Sequence, residues 1–248
     1  MAKISKDPKE IFQEIVKDYR DIFADHLKSI ILYGSAAGRD YRPVQSDINF
    51  MIILSDEGID HLDRTFEILV KWRKRKVAIP LFLTRNYVER STDVFPIEYL
   101  NFQLHHILVY GEDMLKDLSF DKTLIRIQCE REIKGKLLLL REAFLESAGK
   151  GRTLREIISQ SIQAFLAIFN ALLFLRGMEI PHEKRSVTRA VCENFKMNKD
   201  LFEKLLDIRE QRINPKENEL REIFKEYLHE VRGLARVVDE LGGSYVAE

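Results

Sequence analysis

The chemistry-bearing part of the chain is the segment Leu32-Tyr33-Gly34-Ser35-Ala36-Ala37-Gly38-Arg39-Asp40-Tyr41-Arg42-Pro43-Val44-Gln45-Ser46-Asp47-Ile48-Asn49-Phe50. An apolar strand that stops at Gly34-Ser35, where a helix would begin, presents backbone N–H groups and a hydroxyl. Together these suit a phosphate. A dozen residues later, Asp47 and Asn49 alternate with Ile48 and Phe50, so both oxygen-bearing side chains share one face of a strand and can bind a hard cation. Arg39 and Arg42 lie in the loop between the two halves, where they either neutralise a triphosphate or pair with Asp40. A phosphate cradle followed by a metal strand is the layout of a nucleoside triphosphate site.

Regular elements must hold these residues. Asp7-Pro8-Lys9-Glu10 has an N-cap, a proline at the first helical position and an early carboxylate. Ile11, Phe12, Ile15, Val16, Tyr19, Ile22 and Phe23 follow at helical spacing. The expected strands are Ser29 to Tyr33, Asp47 to Leu54, Val77 to Leu83 and Ile107 to Tyr110, with Pro80 placing the third near a sheet edge. A helix through Leu62, Phe66, Leu69 and Val70 and another from Pro96 to His105 complete a small mixed α/β unit.

Beyond about Ser119 the strand period disappears. Thr153-Leu154-Arg155-Glu156 reads as a capping box before Ile157, Ile158, Ile162, Phe165, Leu166, Phe169, Leu172 and Leu173, an apolar arc wide enough for the centre of a bundle. Asn214-Pro215-Lys216-Glu217 repeats the cap pattern before a long helix that Gly242-Gly243 ends. The fold class expected is α+β, with a small mixed-sheet domain over residues 1–115 and a bundle of four or five helices over residues 116–248.

The segment from residue 28 to 54 resembles the polymerase-beta-like nucleotidyltransferase superfamily, whose motif is Gly-Ser, a short helix, then Asp-x-Asp followed by apolar residues. The close of the first domain, Ile107-Leu108-Val109-Tyr110-Gly111-Glu112-Asp113, is similar too. The small-molecule adenylyltransferase type, with a HEPN-like helical domain behind the catalytic one, looks nearest. The resemblance implies transfer of a nucleoside monophosphate, AMP first among them, from magnesium-bound NTP to a hydroxyl of a small molecule or a protein. It implies that Gly34 and Ser35 hold phosphates, with Arg39 and Arg42 beside them, and that Asp47 ligates magnesium. The family's second metal carboxylate falls on Asn49, and the third belongs on a strand that reads Val77-Ala78-Ile79-Pro80-Leu81-Phe82-Leu83, without an acid. Asp93 and Glu98, in the loop and helix that follow, are the candidate substitutes. Two of three expected carboxylates are missing, which implies a weak or absent magnesium centre and weakened or lost catalysis. No general base can be named, and the alternative is a nucleotide-binding regulator or protein-interaction module of the same fold.

The 248 residues carry 40 Lys+Arg and 40 Asp+Glu, so no whole-protein field favours nucleic acid or an anionic membrane. The run Phe165 to Leu175, interrupted by Asn170, is short for a bilayer, and Met1 to Glu10 lacks the apolar core of a signal peptide. Cys129 and Cys192 have no ligand or disulfide spacing, and a reduced, cytoplasmic protein is expected. The basic run Lys71 to Lys76 around Trp72 reads as a solvated helix end complementing the dipole. Arg176 and His182 fit the Arg-x(4–6)-His spacing of HEPN ribonucleases, but so do Arg20 and His26, which lie outside any such domain. His105-His106 reads as a packed or surface pair. The partners expected are a nucleotide and an acceptor, and a homodimer is compatible with the sequence.

Overall fold

The computed structural model describes residues 4–38, 41–43 and 46–241. The chain divides into two compact units, Met1–Phe120 and Asp121–Glu248.

In the first unit a 3₁₀ turn, Pro8–Ile11, leads into α1 (Phe12–Phe23), with the Asp7 carboxylate accepting the Lys9 N–H as the sequence predicts. There follow β1 (Leu27–Tyr33), β2 (Asn49–Leu54), α2 (Asp56–Ile59), α3 (Phe66–Arg73), β3 (Leu81–Thr84), α4 (Arg85–Arg90), α5 (Pro96–Leu104) and β4 (His106–Gly111). The sheet order is β3-β2-β1-β4, with β1 antiparallel to both neighbours and β2 parallel to β3. Alternation sorts the strand residues between two cores. Ile30, Leu32, Phe50 and Ile52 pack with Ile15, Tyr19 and Phe23 of α1 and Trp72 of α3. Ile31, Met51 and Ile53 face the other way, against Val88 and Tyr99 from α4 and α5.

Three boundaries differ from expectation. The second strand begins at Asn49 rather than Asp47, because Ile48 pairs only through an isolated bridge to Val77. The third strand begins at Leu81 rather than Val77; Pro80 has no N–H to donate, so the ladder breaks ahead of it at the sheet edge. The helices α2 and α4 have no counterpart in the sequence expectation, and each starts from a hydroxyl cap, Ser55 or Thr84.

The second unit contains five helices among its described residues: α6 (Lys122–Glu146), α7 (Gly151–Leu175), α8 (Lys184–Phe195), α9 (Lys199–Arg209) and α10 (Glu217–Glu240). Asp121 caps α6 by accepting the Thr123 and Leu124 N–H groups. The capping box at Thr153–Glu156 is not used: the N-cap is Lys150, three residues earlier, and the Glu217 carboxylate accepts the Gly151 N–H at 3.1 Å. Glu217 also binds Arg221, whose guanidinium donates to the Gly149 carbonyl, so one network ties both helix starts. Likewise α10 is capped at Lys216, not Asn214; Gly242 and Gly243 lie outside the described residues.

By length and composition α7 could cross a bilayer, which corrects the expectation drawn from the shorter run Phe165–Leu175. It is instead the core helix of the bundle, with Phe165 and Phe169 buried in an aromatic cluster with Phe202 and Tyr227. Arg185 of α8 binds Glu203, Asp207 and Glu210, which joins α8 to α9 through charge. Both cysteines are free and buried, and burial pushes the Cys192 thiol up to about 12.

Candidate functional site

β1 ends at Tyr33 and turns through Gly34 at φ +75°, a left-handed conformation that glycine adopts without a Cβ penalty. Gly34–Ala37 is one 3₁₀ turn rather than the start of an α-helix, so no macrodipole stands behind it. The Gly34 N–H is already taken by the His105 carbonyl at 3.2 Å. Phosphate donors must therefore come from the N–H groups that follow and from the Ser35 hydroxyl. Ser35 is half-buried, and its hydroxyl has no hydrogen-bond partner among the described residues.

The ladder brings the two halves of the motif together. Tyr33 pairs with Asn49 on one side and His106 on the other. A Cβ placed on Gly34 would lie 3.6 Å from the Asn49 amide nitrogen. Ile48 and Phe50 enter the α1-side core, as alternation requires, which leaves the half-buried Asn49 on the opposite face. Asp47 precedes the strand, and its side chain is 59% exposed with the Lys76 ammonium 3.9 Å away. Lys76 has φ +64°, and its carbonyl accepts the Ile48 N–H, so the turn after α3 delivers this cation to Asp47. Arg42 is exposed, and its backbone exchanges hydrogen bonds with Ser46. Arg39 and Asp40 lie outside the described residues.

These donors do not fit a pair of magnesium ions. Such a centre needs several carboxylates converging on two cations. Here Asp47 already has an ammonium beside it, Asn49 brings no charge, and β3 reads Leu-Phe-Leu-Thr. Among the described residues no three His, Cys, Asp or Glu side chains cluster as a metal site.

Two neighbours escaped the sequence reading. Lys76 belongs to a run that reads as solvated, yet its ammonium lies 3.9 Å from Asp47. His106 places one ring nitrogen 2.9 Å from the Gln103 carbonyl and the other 3.1 Å from both Asp113 oxygens. Burial works to raise the Asp113 carboxyl, but the hydrogen bonds from His106 and the Leu115 and Lys116 N–H groups outweigh it and hold it below the usual range. This knot follows directly on His105, which anchors Gly34. The rest of the basic run staples α3 to α1: Lys71 binds Glu14 and Asp18, Arg75 binds Glu14, and the Trp72 indole N–H donates to Asp18. A cleft of about 860 Å³ lined by Gln13, Lys17, Arg20 and Tyr110 contains none of these site residues, and the chemistry argues for the Gly34 turn over the larger space.

No protein-family model matches the sequence, and no curated protein matches it. Among solved structures, the spectinomycin adenyltransferase AAD(9) from Enterococcus faecialis, solved with ATP and spectinomycin, is similar over 90% of this chain and 99% of its own. The TM-score is 0.52 and the identity 13%. At that identity the likeness speaks for the architecture: the chain has a nucleotidyltransferase-like α+β fold followed by a helical part.

Proposed function

We propose that the chain binds a nucleoside triphosphate, ATP first, at the Gly34–Ser35 turn, and that AMP transfer to a hydroxyl is weakened or lost. Residues 1–115 would form the nucleotide domain and residues 116–248 a HEPN-like helical domain, in a cytoplasmic protein. The backbone after Gly34, the Ser35 hydroxyl, Arg39 and Arg42 would hold the phosphates. The acceptor, by the chemistry of the adenyltransferase fold, would be a small hydroxylated molecule or a protein. The observation that carries the reading is the left-handed Gly34 turn set against Asn49, with the Ser35 hydroxyl beside it unpartnered among the described residues.

The second reading, a nucleotide-binding regulator without catalysis, is favoured by Lys76 beside the only retained acid, Asp47. An ammonium in that place, 3.9 Å away and solvent-screened, offsets part of the carboxylate's attraction for a divalent ion. Asp47 and Asn49 would then hold magnesium weakly. Asn49→Asp tests the metal position that both readings assume. Magnesium affinity of the ATP-loaded variant, read by calorimetry, is expected to rise roughly tenfold, the scale on which one more coordinating charge tunes such sites. Unchanged affinity would show that Asn49 does not stand where a metal carboxylate belongs.

A further inference from the structure

The helix α6 buries Ile125, Cys129, Ile133, Leu137 and Leu140 against its own bundle. Its opposite face is unusual for a surface. Leu138 and Leu139 are each 63% exposed, Leu145 is 78% exposed and Ile127 is 47% exposed. At about 100° per residue, Ile127, Arg131, Gly135, Leu138, Glu142 and Leu145 fall within an arc of about 80° and run roughly 27 Å along the helix. Exposed apolar side chains thus alternate along this arc with one glycine and two charged residues of opposite sign.

Gly135 adds a second, independent oddity. It lies in the middle of a 25-residue helix, where glycine costs about 1 kcal/mol relative to alanine. A Cβ there would meet nothing within 4 Å, so packing within the chain does not require the glycine. The missing side chain leaves a notch that another helix could approach closely.

We propose that this face is the interface between two copies of the chain, with α6 packed antiparallel on α6 across a two-fold axis between Lys136 and Leu137. In that register Leu138 enters the notch at Gly135 of the second copy, Arg131 meets Glu142, and Ile127 comes within one residue's rise of Leu145. Every contact is made twice, as a two-fold interface demands. The charges agree with the register: Glu142 has no ion pair among the described residues, and Arg131 has only a 4.0 Å approach to its chain neighbour Glu132. A mixed partner would have no reason to match Arg131 and Glu142 about the same axis that places Leu138 on Gly135. The seam is small for an obligate assembly, so the dimer dissociates on dilution. The inference is independent of the nucleotide reading.

Light scattering on the eluting full-length chain, from about 1 to 100 µM, is expected to show the mass doubling as concentration rises. Gly135→Gln fills the notch with a good helix former. The dissociation constant is expected to rise at least tenfold while the melting temperature of dilute protein stays level or increases. Arg131→Glu is expected to weaken the dimer, and adding Glu142→Arg to restore it. A chain that stays monomeric throughout overturns the proposal. So does a dimer whose strength none of these substitutions moves, since another face would then form it.

Discussion

Gly111→Ala is expected to unfold the N-terminal unit or lower its melting temperature by roughly 20 °C, the equivalent of about 4 kcal/mol or more. Gly111 closes β4 at φ +79°, and a Cβ there would lie 1.9 Å from the Lys28 carbonyl oxygen and 2.9 Å from its carbon. Both obstacles are backbone of the central strand β1, which cannot rotate away as a side chain can. The approach is fixed from below as well: the buried Ser29 hydroxyl reaches the Glu112 carbonyl at 2.7 Å and the Tyr110 carbonyl at 3.1 Å, one on each side of Gly111. Relief would mean peeling the end of β4 from β1 and losing the Ser29–Gly111 pairing. Melting followed by circular dichroism reads the effect. A change below about 5 °C would mean that this strand end moves at little cost.

Gly34→Val is expected to abolish nucleotide binding, with affinity falling at least about a hundredfold, while leaving the unit folded. A β-branched residue is a steric outlier at φ +75°, and strain of this kind costs on the order of 1–3 kcal/mol. Space is not the obstacle, since the new Cβ would meet only the Asn49 amide at 3.6 Å. The chain would relieve the strain by turning the peptide out of the left-handed region. That rotation re-aims the N–H groups that follow and breaks the Gly34 bond to His105. Two or three charge-assisted N–H bonds, each worth about 1.5–3 kcal/mol, would lose their alignment. Calorimetry with ATP gives the affinity, and circular dichroism confirms the fold. Retained binding would move the phosphate site elsewhere.

Much of the architecture is legible in the sequence because it rests on local periodicity. Alternation through Ile48, Asn49 and Phe50 already places the two apolar side chains on the α1 side and Asn49 on the opposite face, and the 3.6-residue recurrence from Ile15 to Phe23 marks the face of α1. The Asp7 cap works over two residues and can be read directly. The features that escape reading depend on residues far apart in the chain. Asp47 falls outside β2 because Ile48 bonds to the backbone on either side of Val77, and that same crossing brings Lys76 to Asp47. A capping box is a fair signal at Thr153, but Glu217, sixty-six residues from Gly151, supplies the cap instead. The Trp72 cluster looks like a solvated basic run until α1 presents Glu14 and Asp18 to it. The His106–Asp113 knot needs Gln103, from the last turn of α5, to orient the ring.

The central claim is that this fold retains a triphosphate cradle but has lost most of the charge that would make it a two-metal centre. A calorimetric titration of the full-length chain with ATP, once in EDTA and once in millimolar magnesium, tests it most directly. The account predicts one ATP per chain in both titrations, with dissociation constants within about threefold of each other, a difference below 1 kcal/mol. Binding that requires magnesium, or tightens by more than about tenfold with it, would contradict the account by restoring a working metal site. A chain that binds no nucleotide in either condition would contradict it from the other side.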